Sequence, residues 1–365
     1  MKRFFIIFII SALLFSCREA NHVEFPVIPV DINSDVSLPL SAITDEITAI
    51  ELEDTDESLI NPDRIRSFHL FENHIILHEQ DEILVFSMDG KFIRSIGSKG
   101  QGPGEFFILL KLAIDEKNKR LIAVDRFKII CYDLNGKFLF QSSAIFDKGK
   151  RIYDLSIING ELFALVDQLG TKETKVSYFQ PQLYKMSDDL QIIDSLTIRK
   201  TYYEKLDAFG FMLSDLILHS DSKAYIYCPE HSWQLNIVVN KILPDTLYRL
   251  EKNSLIPDLK LNFKNRTYLG DDLPIEIGGI YRSSRYIFAA YLNRGFFRFC
   301  YDTKTGKGYN MKNGFTDDFH QIEKRINIRP FASNTELFYY WHTHMNEADI
   351  NTEPNPTLYI GRLKK

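Results

Sequence analysis

Two stretches of this chain are nearly the same sentence. Val85-Phe86-Ser87-Met88-Asp89-Gly90-Lys91-Phe92 recurs 46 positions on (85 to 131) as Cys131-Tyr132-Asp133-Leu134-Asn135-Gly136-Lys137-Phe138. Each reads as strand, Asp-Gly or Asn-Gly turn, strand, because these dipeptides supply the positive φ angles that a two-residue hairpin loop requires. A hairpin repeat with a period of roughly 40–50 residues predicts an array of four-stranded sheets, a β-propeller. About 330 residues remain once the first 16 and a polar leader are set aside, more than one hydrophobic core usually serves. A propeller escapes that limit because each blade adds its own interface with the next.

The same event, a strand passing through a tight turn into an outer strand, recurs along the chain. It runs from Ile83–Phe86 to Phe92–Ile96, Ile129–Tyr132 to Phe138–Gln141, Leu183–Met186 to Ile192–Thr197, Thr246–Leu250 to Asp258–Phe263, and Phe296–Tyr301 to Tyr309–Lys312. Thr357–Leu363 is a sixth third strand whose partner is missing at the carboxyl end. The alternating segment Ile47–Leu52 has no hairpin mate of its own. An open sheet edge invites aggregation, so the expectation is that Ile47–Leu52 pairs with Thr357–Leu363 and closes a ring. Two upstream strands complete each unit, most cleanly Leu112–Asp115 with Arg120–Val124, and no long helical periodicity competes. Tyr202–Met212 is expected as a short helix or an ordered loop between blades. The fold expected is all-β: a six-bladed β-propeller with four-stranded blades, closed by pairing of an N-terminal strand with the C-terminal one.

The chain begins with a basic pair, Lys2-Arg3, followed by the apolar run Phe4–Phe15. That run is too short to span a bilayer core of about 30 Å and reads as a secretory h-region. It ends Leu14-Phe15-Ser16-Cys17, the pattern of a bacterial lipobox, so residues 1–16 are expected to be removed and Cys17 lipidated. Residues 17–42 are then a tether and 43–365 the propeller. Without the first 16 residues the chain holds 42 basic and 49 acidic residues, a formal charge of −7. That balance excludes a nucleic-acid partner, which needs a clustered basic face, and membrane contact is assigned to the acyl chain instead. Cys131, Cys228 and Cys300 show no CxxC spacing and read as small buried hydrophobes.

Gly97-Ser98-Lys99-Gly100-Gln101-Gly102-Pro103-Gly104-Glu105-Phe106 resembles the glycine-rich loop that follows the outer strand in NHL-type repeats, and Asp125 matches the acidic residue ending their second strand. The Asn-His-Leu signature itself is absent. Asp245-Thr246-Leu247-Tyr248-Arg249-Leu250 followed by Pro257 resembles an element of six-bladed propeller lipoproteins of Gram-negative bacteria. The resemblance implies the fold and an outer-membrane lipoprotein facing the periplasm or the cell surface. It implies no particular activity.

In a propeller the loops joining second to third strands share a face with the connections between blades. That face gathers Gln80-Asp81, Asp125-Arg126, Asp167-Gln168, Glu230-His231-Ser232-Trp233, Asn293-Arg294 and His342-Thr343-His344. Three of its loops are long, Asp167–Pro181, Pro229–Asp245 and His342–Pro356, and long ordered loops are more often functional. The glycine-rich loop lacks a Gly-Lys-Ser/Thr ending and precedes a strand, so it reads as a blade-to-blade crossover needing positive φ, with Glu105 as its tether, and not as a phosphate cradle. Asp188-Asp189, Asp271-Asp272 and Asp317-Asp318 read as turn chemistry. Trp233 beside His231 is either a stacking platform for a sugar or aromatic ligand, or a rim-packing residue.

The ligand-binding candidates are therefore Arg126, His231, Trp233, Arg294, His342 and His344, with Cys17 as the lipidation site. No catalytic set, cofactor motif or complete metal site is readable. The function expected is a membrane-anchored propeller that binds a peptide, glycan or partner protein on one face without catalysis. The alternative is a metal-dependent lyase or hydrolase at the mouth of the central channel. In that case His231, His342, His344 and Arg294 would be the working set, with two histidines on one side of a strand as the start of a metal site.

Overall fold

The computed structural model describes residues 25–143, 145, 150–171, 177–203, 216–220, 222–228, 237–239, 243, 245–263, 275–343 and 354–365. Among them the protein is an all-β, six-bladed propeller of four-stranded antiparallel blades, and the only helices are the single 3-10 turns Leu40–Ala42 and Pro62–Arg64. Blade 1 consists of Ile65–Phe71, His74–Glu79, Ile83–Ser87 and Phe92–Ser95, counted from the axis outward, and blade 2 of Leu109–Asp115, Arg120–Asp125, Ile129–Asp133 and Phe138–Ser142. Blade 3 is Lys150–Ile158, Glu161–Thr171, Ser177–Met186 and Ile192–Thr197. Blade 4 is Ile217–Ser220, Lys223–Tyr227, Thr246–Glu251 and Ser254–Phe263. Blade 5 is Glu276–Arg282, Tyr286–Leu292, Phe296–Asp302 and Lys307–Lys312. Blade 6 is Arg329–Phe331, Asn334–His342, Thr357–Leu363 and, from the other end of the chain, Thr44–Glu51.

The sixth blade's outer strand runs antiparallel to its third, with Ile47 opposite Gly361, Ala49 opposite Tyr359 and Glu51 opposite Thr357. The hydrophobic cores lie between blades. Phe68, Ile75 and Phe86 of blade 1 pack with Tyr339 and Leu358 of blade 6, as Ile76 and Val85 pack with Leu121 and Ile130 of blade 2. Strand alternation explains this arrangement: both faces of every blade are covered, so inner strands such as Arg120–Asp125 are buried throughout.

The repeated hairpin turns perform one job at successive junctions. Gly90 and Gly136 have φ of 86° and 89°. The backbone of the preceding blade's outer strand lies against each of them. A Cβ at Gly90 would collide with the Glu51 carbonyl oxygen, and one at Gly136 would lie 3.5 Å from the Ser95 oxygen. Blade 6 therefore meets blade 1 as blade 1 meets blade 2, although its outer strand comes from the N-terminus.

Part of the segment expected as a tether, residues 27–42, lies on the ring. Val27–Val30 forms a fifth strand on blade 4, parallel to Ser254–Phe263, with Ile28 and Val30 buried. The chain then crosses blade 5, where Val36 N donates to Asn310 O (2.9 Å) and Lys312 N donates to Asp35 Oδ1 (2.9 Å). It reaches blade 6 through Leu40 N to Thr316 O (2.9 Å). Apolar side chains at 28, 30, 38, 40 and 43 supply the reason: each finds a buried place on the ring. Tyr202, expected in a helix or loop, is in the strand Lys200–Tyr203, and the rest of Tyr202–Met212 lies outside the described residues beyond Tyr203.

Candidate functional site

The glycine-rich loop is a crossover held by its own side chains. Ser98–Lys99 and Glu105–Phe106 pair in parallel, Gly102 N donates to Glu105 Oε2 (2.8 Å), and the Tyr132 hydroxyl donates to Gly104 O (2.6 Å). Asp125 fastens the loop to the blade: its Oδ1 accepts from Phe107 N (3.0 Å) and Ile108 N (2.9 Å). Lys128 Nζ adds a bond to Gly102 O (2.9 Å), so side chains from blade 2 hold the loop as a blade-to-blade crossover. In blade 1 the equivalent acid is Glu79, which accepts from Asn61 N (3.4 Å) and whose carboxyl is pushed up to about 7 by burial. In blade 3 it is Asp167, raised well above the carboxylate range by burial against the opposing pull of Arg151 and Arg199.

Inner strands and their turns close the axis at the hairpin end. His219 N in blade 4 donates to Ala332 O in blade 6 (2.9 Å), and Thr335 Oγ1 donates to Arg282 O in blade 5 (2.6 Å). The buried Glu336 carboxylate accepts from the Ser220 hydroxyl (3.1 Å), Ser284 N and the Ser284 hydroxyl (2.9 Å). Nearer the middle, Asp154 Oδ2 accepts from both Leu216 N and Ile217 N (2.7 Å each), and Lys111 Nζ lies 3.4 Å from its Oδ1. Blades 2, 3 and 4 meet on that one carboxylate. His78, buried beside Lys111 and His69, is held down at about 3, chiefly by burial, and is neutral.

The opposite end is the loop face. Arg126 is exposed in the loop between the second and third strands of blade 2, with its guanidinium over the Phe127 ring (5.4 Å). Arg294 is exposed in the corresponding turn of blade 5 at φ 51°. His342 is the last residue of its strand in blade 6, opposite Thr357. The three share a face, but blades 2 and 5 stand on opposite sides of the ring, so Arg126 and Arg294 do not converge. His231, Trp233, His344 and Cys17 lie outside the described residues, and among the described residues no three His, Cys, Asp or Glu side chains gather as a metal site. Of Asp167–Pro181, residues 167–171 and 177–181 are strand, paired from Asp167 with Pro181 out to Thr171 with Ser177, and residues 172–176 lie outside the described residues; Lys200–Tyr203 and Ile237–Val239 extend the same sheet.

A domain family described as "Domain of unknown function (DUF4934)" matches residues 25–360, which is the ring together with its N-terminal belt. The chain belongs to this family. The DUF4934 chain also shares its fold with a "putative exported protein" of Bacteroides fragilis, at 16% identity and a TM-score of 0.59, over 93% of this chain and 100% of that one. A Bacteroides caccae protein of unknown function is similar at 10% identity and a TM-score of 0.41, over 78% of this chain and 89% of that one. The Neurospora crassa Pan2 WD40 domain is similar at 8% identity and a TM-score of 0.39, over 82% of this chain and 76% of that one. No curated protein matches the sequence. Among the described residues no helix is long and apolar enough to cross a membrane.

Cys131, Cys228 and Cys300 are free and buried, as small hydrophobes, and burial pushes the thiols of Cys131 and Cys228 up to about 11 and about 12. The loop face of this DUF4934 protein holds more than the sequence reading singled out. Leu59, Phe107, Phe127, Leu243 and Phe296 are all exposed there, Phe296 by 66% and Phe127 by 60%. Four inner strands start with a basic residue on that side: Arg66, Lys111, Arg151 and Arg329 each fall within the first three positions. Aligning the six units on their inner strands is the signal that would have found them.

Proposed function

We propose that this protein is a non-catalytic binding module of the cell envelope, anchored to the outer membrane by lipid on Cys17, that holds a peptide, glycan or partner protein on its loop face. The observation that carries the reading is the exposure of Leu59, Phe107, Phe127, Leu243 and Phe296 on that face together with Arg126 and Arg294. Large exposed apolar groups rimmed by polar ones mark interaction surfaces, and aromatic residues and arginine supply most binding hot spots. The lipobox pattern at Leu14–Cys17 supports the anchor. Nine residues lie between Cys17 and the first strand at Val27, a reach of at most about 35 Å, so the anchor holds the rim of blade 4 close to the bilayer.

The test is a binding screen of the full ring against envelope glycans and peptides. Phe127→Ala with Arg126→Ala, and separately Phe296→Ala with Arg294→Ala, are expected to weaken capture about tenfold or more while leaving the unfolding midpoint within a degree or two. Capture unchanged in both pairs would remove the loop face as the binding surface.

A further inference from the structure

The basic residues that begin the inner strands divide into two groups. On the side of blades 2 and 3 acids accompany them: Lys111 pairs with Asp154 at 3.4 Å, and Asp167 stands opposite Arg151 in the strand register. On the side of blades 5, 6 and 1 the partners are neutral. Arg66 Nη2 donates to Gln80 Oε1 (2.7 Å). Arg329 Nη1 donates to the Arg66 carbonyl (2.9 Å), with its guanidinium 4.6 Å from the centre of the Trp341 ring. Arg298, on the third strand of blade 5, donates to the Phe297 carbonyl (3.2 Å). It lies in one cross-strand row with Gly279 and Ala290, so the two strands nearer the axis present only small residues beside it.

All three guanidiniums are half-buried, and none pairs with a carboxylate among the described residues. Asp81, the acid whose charge reaches Arg66, is already engaged by Arg64 (2.9 Å) and Lys99 (3.5 Å). The charge of Arg329 opposes that of both Arg66 and Arg298. Three partly desolvated like charges with neutral acceptors are a costly arrangement for a protein to keep empty. An oxyanion changes the sign of the account, because a guanidinium offers a planar fork of donors matched to carboxylate, sulfate and phosphate. Two of the forks are already oriented, Arg329 by the Trp341 face and Arg66 by Gln80, so little side-chain freedom remains to be lost on binding.

We propose that Arg66, Arg298 and Arg329 form an oxyanion-binding subsite where blades 5, 6 and 1 meet toward the loop face, taking a carboxylate, sulfate or phosphate group of the ligand. The inference rests on the loop face being the ligand-bearing face and names the chemistry of what it holds. Trp341 positions Arg329 and is not itself assigned a contact.

Calorimetry and thermal unfolding of the full ring with sodium sulfate, sodium phosphate, a sulfated oligosaccharide and an oligogalacturonate, all at one ionic strength set with chloride, test it. Saturable binding of at least one oxyanion is expected, with a rise of several degrees in the midpoint that chloride does not reproduce. Binding by the inorganic ions identifies the free anion as sufficient, and binding by the sugars alone identifies the acidic glycan as the source. Arg66→Met and Arg298→Met are each expected to weaken that binding tenfold or more. Without anion their midpoints should equal or exceed the parent's, because a like charge has gone; a residue serving structure alone would lower them. The subsite is overturned if no oxyanion acts beyond chloride, or if both variants bind as tightly as the parent. Anion binding that persists while the Arg126/Phe127 and Arg294/Phe296 pairs leave ligand capture unchanged would sink the loop-face reading and leave this subsite standing; the converse would sink the subsite alone.

Discussion

Removal of residues 1–51 is expected to abolish cooperative folding of the ring. The belt contributes Ile28, Val30, Leu38, Leu40, Ile43 and Ile50 to the buried core. Each fully buried aliphatic side chain is worth about 1.5–3 kcal/mol. Their sum, about 9–18 kcal/mol, rivals the whole 5–15 kcal/mol by which a native protein is usually stable. The loss is also geometric. Blade 6 would keep three strands and expose the edge of Thr357–Leu363, and blade 1 would lose the Glu51 backbone that packs against Gly90. An uncovered strand edge is a template for pairing with another chain, so the truncated protein should aggregate. Size-exclusion chromatography and near-ultraviolet circular dichroism check this. A monodisperse monomer with a sharp unfolding transition would show the belt to be dispensable.

Asp154→Asn is expected to cost about 3–5 kcal/mol, the range for breaking a buried, fully engaged charge pair. Asp154 is buried and accepts from Leu155 N, Leu216 N and Ile217 N while facing Lys111. An amide of the same shape turns one acceptor into a donor aimed at groups that are themselves donors, and it leaves the Lys111 ammonium without its charge partner. Because the carboxylate joins inner strands of blades 2, 3 and 4, the loss is spread over two interfaces. Chemical denaturation with the midpoint and slope measured together checks it. A loss under 1 kcal/mol would mean that the three inner strands hold their places by packing alone.

The ring was legible because hairpin chemistry is local. Asp89-Gly90 and Asn135-Gly136 need only their own backbone to specify a turn, and the equal spacing of such turns then implies blades. The outer-edge belt was not legible, because Val27–Val30 is four residues preceded by Pro26 and interrupted by Pro29, and its meaning depends on Ser254–Phe263 lying beside it in space. The same limit hid the extended arm in blade 3: Asp167–Pro181 reads as polar loop, but cross-strand pairing carries it as strand out to Thr171 and Ser177. The candidate site was read from loops alone, and Arg126, Arg294 and His342 share one face but are spread over blades 2, 5 and 6. Arg66 and Arg329 stand at the starts of inner strands, where no turn or loop signal in the sequence marks them. Arg298 sits mid-strand among aromatics, and its position beside the small residues Gly279 and Ala290 appears only once the three strands are aligned across the blade.

Everything above depends on the early strand Thr44–Glu51 completing blade 6 beside Thr357–Leu363, since that pairing sets which turns face which way around the axis. Amide hydrogen exchange of the native protein tests it most directly. The amides of this early strand that face its partner should be protected to nearly the same free energy as those of Thr357–Leu363, and the two segments should lose protection together in denaturant. Exchange of Thr44–Glu51 at the rate of an unstructured peptide, while Thr357–Leu363 stays protected, would contradict the account.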